Sequence, residues 1–173
     1  MDKKLTLKYL DQSGFSLMLS LCYTWFRRGS GKQFKVPTRW GSKGRVNLIG
    51  TLSLFGEREQ LEVRELDGSC NQAQVVAYLE TLAKECDPEH LTVVVLDNAP
   101  FHKGEMIKEH RAAWEAEGLF LRYLPVYSPQ LNLIESVWRK LKGFLMPRRC
   151  YDNVNQLREA VSAGLQALDA ITI

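Results

Sequence analysis

The stretch "LTVVVLDNAPFH", Leu91–His102, decides how this chain is read. An apolar, β-branched run stops abruptly at Asp97 and Asn98, and Pro100 and His102 follow closely. A short continuous apolar run bounded by turn signals is the pattern of a strand covered on both faces. Such a strand delivers a carboxylate at its tip for one of two reasons. Asp97 is a turn residue, hydrogen-bonded to its own backbone, or it belongs to a site. The choice depends on whether the chain brings other carboxylates to the same place.

Working outward, the pattern alternates between strand and helix. Upstream, "NQAQVVAYLETLAKEC" places Val75, Val76, Leu79 and Leu82 at helical spacing, with Asn71 as its cap and Asp87-Pro88 as its stop. Downstream, "KGEMIKEHRAAWEAEG" reads as a helix ended by Gly118, and "LFLRYLP" as a short strand. "NLIESVWRKLKGFLM" reads as a helix with Ile134, Val137, Trp138, Leu141, Phe144 and Leu145 along one stripe, closed by Pro147. "DNVNQLREAVSAGLQAL" is the final helix. Near the start, "LTLKYLDQSG" reads as a strand ending near Asp11 and Gly14, and "GFSLML" and "CYTWF" as further strand or hairpin material. "RVNLIGTLSLFGE", with a turn at Gly56-Glu57, and "QLEVREL" form a hairpin. Early strands followed by β-α units predict an α/β fold with a mixed sheet and helices on both faces. Sites in such sheets gather at strand ends and in the loops beyond them.

The chain has 173 residues, enough for one domain with a proper core, and that domain is expected to span residues 1–173. Hydrophobic residues make up 45% and charged residues 25%, ordinary for a globular protein. No apolar run approaches the roughly 20 residues that span a bilayer, and "MDKKLTLKYL" has no signal-peptide core. The expectation is a cytoplasmic protein with no membrane partner. Cys22, Cys70, Cys86 and Cys150 are scattered, which excludes a zinc knuckle and suits reduced thiols.

The net charge is only +3, but it is unevenly spread. Arg27, Arg28, Lys32, Lys35, Arg39, Lys43 and Arg45 follow one another with no acid between them, interleaved with Trp25, Phe34 and Trp40. One reading is a solvated basic loop. The other is a polyanion-binding surface, in which these side chains meet phosphates and release counterions.

Three acids sit where element ends are expected: Asp11, Asp97 and Glu135. Neighbouring strands would let the first two converge, and a helix over that edge would bring Glu135 alongside. Clustered carboxylates repel at neutral pH unless a cation sits among them, and hard oxygen donors suit Mg²⁺ or Mn²⁺. Two such ions about 4 Å apart clamp both oxygens of a phosphoryl displacement. Each acid also has a plain structural reading. Asp11 and Asp97 fit turns, and Glu135 fits a capping box with Asn132. His102 reads as a general base, a metal neighbour or a helix-start residue.

"LDQSGFSL" (Leu10–Leu17), "VVVLDNAPFH" (Val93–His102) and "LPVYSPQLNLIESVWRKLK" (Leu124–Lys142) together closely resemble the DDE transposases of bacterial insertion sequences, the branch related to mariner elements. The similarity runs from about Leu5 to the final helix. It implies an RNase H-like fold with a mixed five-stranded sheet. It also implies Asp11, Asp97 and Glu135 as the catalytic acids and metal ligands, with Mg²⁺ or Mn²⁺, two ions, as cofactor. Asn98 and His102 match the motif as active-site neighbours without an assigned role.

The implied reaction has two stages on double-stranded DNA. Metal-activated water cuts the backbone at transposon ends, and the freed 3′-hydroxyl attacks target DNA, commonly at a TA dinucleotide. The resemblance leaves a homodimer open and puts the protein at the nucleoid when DNA-bound. Three departures stand out. Leu133 replaces a common Pro, Gln12 replaces a common Glu, and Met1 lies only ten residues before Asp11, so the family's N-terminal helix-turn-helix region is expected to be absent. Two other readings remain: a non-catalytic DNA-binding or dimerisation remnant, and a cellular nuclease acting on RNA or hybrids. The latter usually wants a fourth acid near the last helix, where Asp152 and Asp169 stand without a motif.

Overall fold

The computed structural model describes residues 5–18, 28, 44–54, 60–126, 128–146 and 149–172. Among the described residues, six strands and four α-helices follow the order β1 (Leu5–Ser16), β2 (Arg45–Ser53), β3 (Gln60–Leu66), α1 (Gln72–Ala83), β4 (Leu91–Leu96), α2 (Glu105–Ala116), β5 (Leu119–Tyr123), α3 (Ile134–Lys140), α4 (Val154–Gln166) and β6 (Ile171–Thr172). The sheet order is β5-β4-β1-β2-β3-β6. The five strands expected from the sequence are present. The two-residue β6 extends the edge by pairing parallel with β3, too short to leave a periodic signal.

Local chemistry explains most of the elements. α1 starts in a full capping box: the Gln74 backbone N–H donates to the Asn71 side chain, and the Asn71 N–H donates to the Gln74 side chain. α2 ends at Gly118, whose φ of +91° and close approach to the Asp87 carbonyl admit no side chain. β2 and β3 are the antiparallel hairpin expected, although the Gly56-Glu57 turn lies outside the described residues.

Helices cover both faces, and each face has its own core. On one, α1 and α2 bury Val75, Leu79, Ile107 and Trp114 against Leu10, Ile49, Val94 and Leu121. On the other, α3 and α4 bury Ile134, Trp138, Leu157 and Val161 against Phe15, Leu48, Leu52 and Val63. β4 is less symmetrically covered than its composition suggests. Thr92, Val94 and Leu96 are buried, while Val93 and Val95 on the other face are half-buried. Among the described residues no helix is long and apolar enough to cross a membrane.

Candidate active site

β1 and β4 run parallel, paired from Leu5↔Leu91 to Tyr9↔Val95. Two more residues along each strand bring Asp11 beside Asp97. Asp97 follows the last residue of β4, as expected, but Asp11 does not close its strand. β1 continues to Ser16 because β2 supplies a ladder partner throughout, down to Ser16↔Arg45. Asp11 is therefore held within the β1–β2 ladder, a more rigid placement than a turn. Alternation puts it on the face of Tyr9 and Phe15, toward α3. Its cross-strand partner on β2 is Gly50. A Cβ at Gly50 would stand 3.2 Å from the Trp138 ring and 2.8 Å from the Glu62 carbonyl. The bare glycine lets Trp138, and with it α3, settle next to Asp11.

Asn132 anchors the start of α3. It is almost fully buried, and its Nδ2 donates to the Leu10 carbonyl at 3.0 Å, next to Asp11. Its own carbonyl accepts the Glu135 N–H at 3.0 Å. The Asn132 Oδ1 that a capping box would use accepts no hydrogen bond among the described residues. α3 begins at Leu133 with no side-chain cap, so the capping-box reading of Glu135 does not hold. The Leu133 carbonyl accepts from Ser136 Oγ at 2.7 Å. Asn98 works on the other side of the site. Its Nδ2 donates to the Leu124 carbonyl at 2.5 Å, tying the tip of β4 to the loop that leads toward α3.

Asp97 combines both roles foreseen for it. Its Oδ1 accepts the Ala99 N–H at 2.9 Å, a local turn, and meets Nδ1 of His102 at 2.7 Å. His102 is fully buried. Its Nε2 lies 2.8 Å from the Gln12 side-chain amide nitrogen, and its carbonyl accepts the Tyr123 hydroxyl at 2.6 Å. Both ring contacts are hydrogen bonds when the imidazole is neutral and protonated on Nδ1, with Gln12 donating to Nε2. A buried imidazole thus joins the strand of Asp11 to the carboxylate of Asp97. No spacing in the sequence signals that link. Gln12 is next to Asp11 in sequence but points to the opposite face of the sheet.

Burial, above all, lifts the Asp11 carboxyl to about 6. The charges of Asp97 and Glu135 push the same way, while the Gln12 backbone N–H and His102 oppose them. The three acids therefore share one electrostatic neighbourhood. His102 and the Ala99 N–H hold Asp97 below the usual carboxylate range against its partial burial. One cation, Lys142, stands within the field of Asp11, and a second, Arg45, lies on the Gln12 face of the sheet. Lys142 sits 5.0 Å over the Phe15 ring; burial lowers its pKa, Asp11 raises it and Arg45 lowers it further. Arg45 lies across Gly14, where a Cβ would meet its guanidinium. With Gln12, Asn47 and Ser69 it lines a cleft of about 200 Å³. Arg28 is exposed, whereas Arg27, Lys32, Lys35, Arg39 and Lys43 lie outside the described residues.

Among the described residues, no three His, Cys, Asp or Glu side chains stand as a ready-made metal cage. The Oδ1 of Asp97 is occupied by the Ala99 N–H and by His102. The donor set nevertheless fits a hard divalent cation: three carboxylates, all oxygen, whose mutual repulsion such a cation relieves.

The raised Asp11 has a testable consequence. A carboxyl whose pKa is higher in the folded state stabilises the fold fully below its unfolded value near 3.8, and that gain is lost as pH rises through about 6. Asp97, shifted down, acts only below 3.8 and does not overlap this window. Metal-free protein is expected to gain about 1 kcal/mol, or roughly 2–5 °C in Tm, between pH 7 and pH 5. Asp11→Asn removes that component, and an unchanged pH profile in the variant contradicts the assignment.

The sequence model of the family described as "DDE superfamily endonuclease" matches residues 6–158. The chain belongs to that family. No curated protein matches the sequence. Among solved structures, the chain is similar to "Crystal structure of the Mos1 Strand Transfer Complex", with a TM-score of 0.61 and 14% identity, over 95% of this chain and 48% of the other. "Mos1 transposase paired-end complex with left transposon end" gives a TM-score of 0.60 and 15% identity over 95% and 48%. "Crystal structure of the Mos1 mariner paired end complex with Mn" gives 0.58 and 14% over the same shares. The RNase H-like fold expected from the sequence is the fold these structures share. The chain spans about half the length of the solved chains it matches.

Proposed function

We propose that the protein is a divalent-metal-dependent DNA nuclease and strand transferase of the transposase type, cutting DNA ends and joining the 3′-hydroxyl to target DNA. The observation that carries this reading is the parallel register that leads Asp11 and Asp97 out side by side, with Asn132 tying the start of the Glu135 helix to Leu10. Family membership supports the same chemistry. Asp11, Asp97 and Glu135 would hold Mg²⁺ or Mn²⁺, as suits their oxygens, and the solved Mos1 complex titled "with Mn" agrees with that choice. Bound metal supplies a water of lowered pKa and polarises the phosphoryl oxygens.

The chain's own residues do the rest. Lys142, which feels the charge of Asp11, would meet a DNA phosphate beside the acids, and Arg45, across the sheet by Gln12 and Gly14, would meet one further along. The remaining basic residues from Arg27 to Lys43 extend that contact. His102 is a positioning residue: it fixes the orientation of Asp97 and so leaves Oδ2 as the free oxygen. Asn98 and Asn132 hold the loop and helix that carry Glu135. The setting would be cytoplasmic, at the nucleoid when DNA is bound.

Outer partners of a ligating carboxylate typically change metal affinity 10–100-fold. His102→Ala is therefore expected to weaken Mn²⁺ binding by about that factor in calorimetry, with His102→Gln, which keeps a donor, retaining part of it. Equal affinity in all three proteins removes His102 from the machinery.

The deciding experiment is nicking of supercoiled plasmid with Mg²⁺ or Mn²⁺, run beside an RNA–DNA hybrid. Cleavage of DNA supports the proposal. Preferential cleavage of the hybrid favours the cellular-nuclease reading. Salt-sensitive DNA binding with no cleavage under either metal favours a non-catalytic remnant.

A further inference from the structure

Phe144 breaks the pattern expected of its helix. The apolar stripe from Ile134 places it against the sheet, yet it is 80% exposed. The cause is a change of helix type. After Lys140 the chain takes a π turn over Leu141–Leu145, with the Met146 N–H bonded to the Leu141 carbonyl at 3.0 Å. The wider turn keeps Leu141 buried and returns Met146 to the core, and Phe144 is left pointing outward. Such turns concentrate at functional sites.

The surroundings indicate what the ring meets. From Ser136 to Tyr151 the sequence holds Arg139, Lys140, Lys142, Arg148 and Arg149 and no acid. Arg139, Lys140 and Lys142 are exposed, and none forms an ion pair among the described residues. Lys142 responds to the charge of Asp11, so this surface borders the candidate active site. A Cβ on the preceding Gly143 would touch nothing within 4 Å among the described residues. An aromatic presented to water among cations with no ion pair among the described residues matches single-stranded nucleic acid, with a π-face for a base and charges for the flanking phosphates.

We propose that Phe144 is a stacking platform for an unpaired DNA base, with Arg139 and Lys140 holding the neighbouring phosphates. This rests on the reading of DNA as substrate and adds a preference for frayed or single-stranded segments beside the cut.

The test is fluorescence anisotropy in EDTA, which separates binding from cleavage. The probes are a blunt duplex and the same duplex with a single-stranded 3′ overhang carrying 2-aminopurine. Phe144→Ala is expected to lose about tenfold in affinity for the overhang substrate and little for the blunt one, with Phe144→Trp retaining binding. The 2-aminopurine is quenched by the natural protein and not by Phe144→Ala. Lys140→Ala should weaken both substrates and lower the salt slope by about one. Thermal stability should not change on Phe144→Ala, since the side chain is exposed. Undiminished overhang binding by Phe144→Ala overturns the proposal. So does a fall in sedimenting mass with DNA binding intact, which would assign the ring to a second copy of the chain. If the natural protein binds neither DNA, the functional reading fails and takes this one with it.

Discussion

Replacing Asp97 with Asn is expected to lower Mg²⁺-dependent DNA nicking by at least about a thousandfold, equivalent to roughly 4 kcal/mol of transition-state stabilisation. Asn is nearly isosteric and keeps an oxygen that can accept the Ala99 N–H. The local turn should survive while one formal negative charge disappears from the neighbourhood of Asp11 and Glu135. The variant should melt as the natural protein does and give the same far-UV circular dichroism. Nicking at the natural rate by such a folded variant eliminates the metal-site assignment. Loss of nicking together with loss of fold is resolved by Glu135→Gln, a half-buried position on a helix that is anchored by Asn132 and not by Glu135 itself.

The second large effect concerns stability and lies away from the site. Lys8 on β1 meets Glu62 on β3 at 2.6 Å, with side chains only 13% and 7% exposed. Thr51 Oγ1 donates to the same carboxylate at 3.2 Å, and the Tyr78 hydroxyl donates to the Glu62 carbonyl at 3.1 Å. The pair bridges β1 and β3 across β2, beneath α1. Lys8→Met leaves Glu62 as an uncompensated buried charge, which typically costs 3–5 kcal/mol. That corresponds to a fall in Tm of about 6–20 °C for a chain of this size. Combining it with Glu62→Met removes both charges and should recover most of the loss, since apolar replacement of a whole buried pair is often neutral or better. A single variant that melts within about 2 °C of the natural protein shows that the pair is hydrated.

How much of this was legible beforehand varies by element, for physical reasons. The Asn71 cap, the β2–β3 hairpin and the Gly118 stop are local devices, so spacing over a few residues reveals them. "DQSG" carries turn chemistry that points to a strand end near Asp11 and Gly14, but cross-strand pairing with β2 overrides it and carries β1 to Ser16. The stripe through Phe144 was correct at Leu141 and failed three residues on, because a π turn changes the period. Gln12 and His102 are ninety positions apart, and their contact has no periodic signature.

By itself the sequence determined the succession of elements and the three acids with their motifs. Propensity, hydrophobic period and motif identity are properties of short stretches of chain. Only the tertiary structure decided that those acids share one field. That outcome depends on the parallel register that sets Leu5 against Leu91, on a glycine opposite Asp11, and on a buried amide reaching from Asn132 to Leu10. Each is a contact between segments far apart in the chain, made only once loop closure and burial have brought the strands together. The strand "LTVVVL" could point Asp97 somewhere, but its neighbours set the direction.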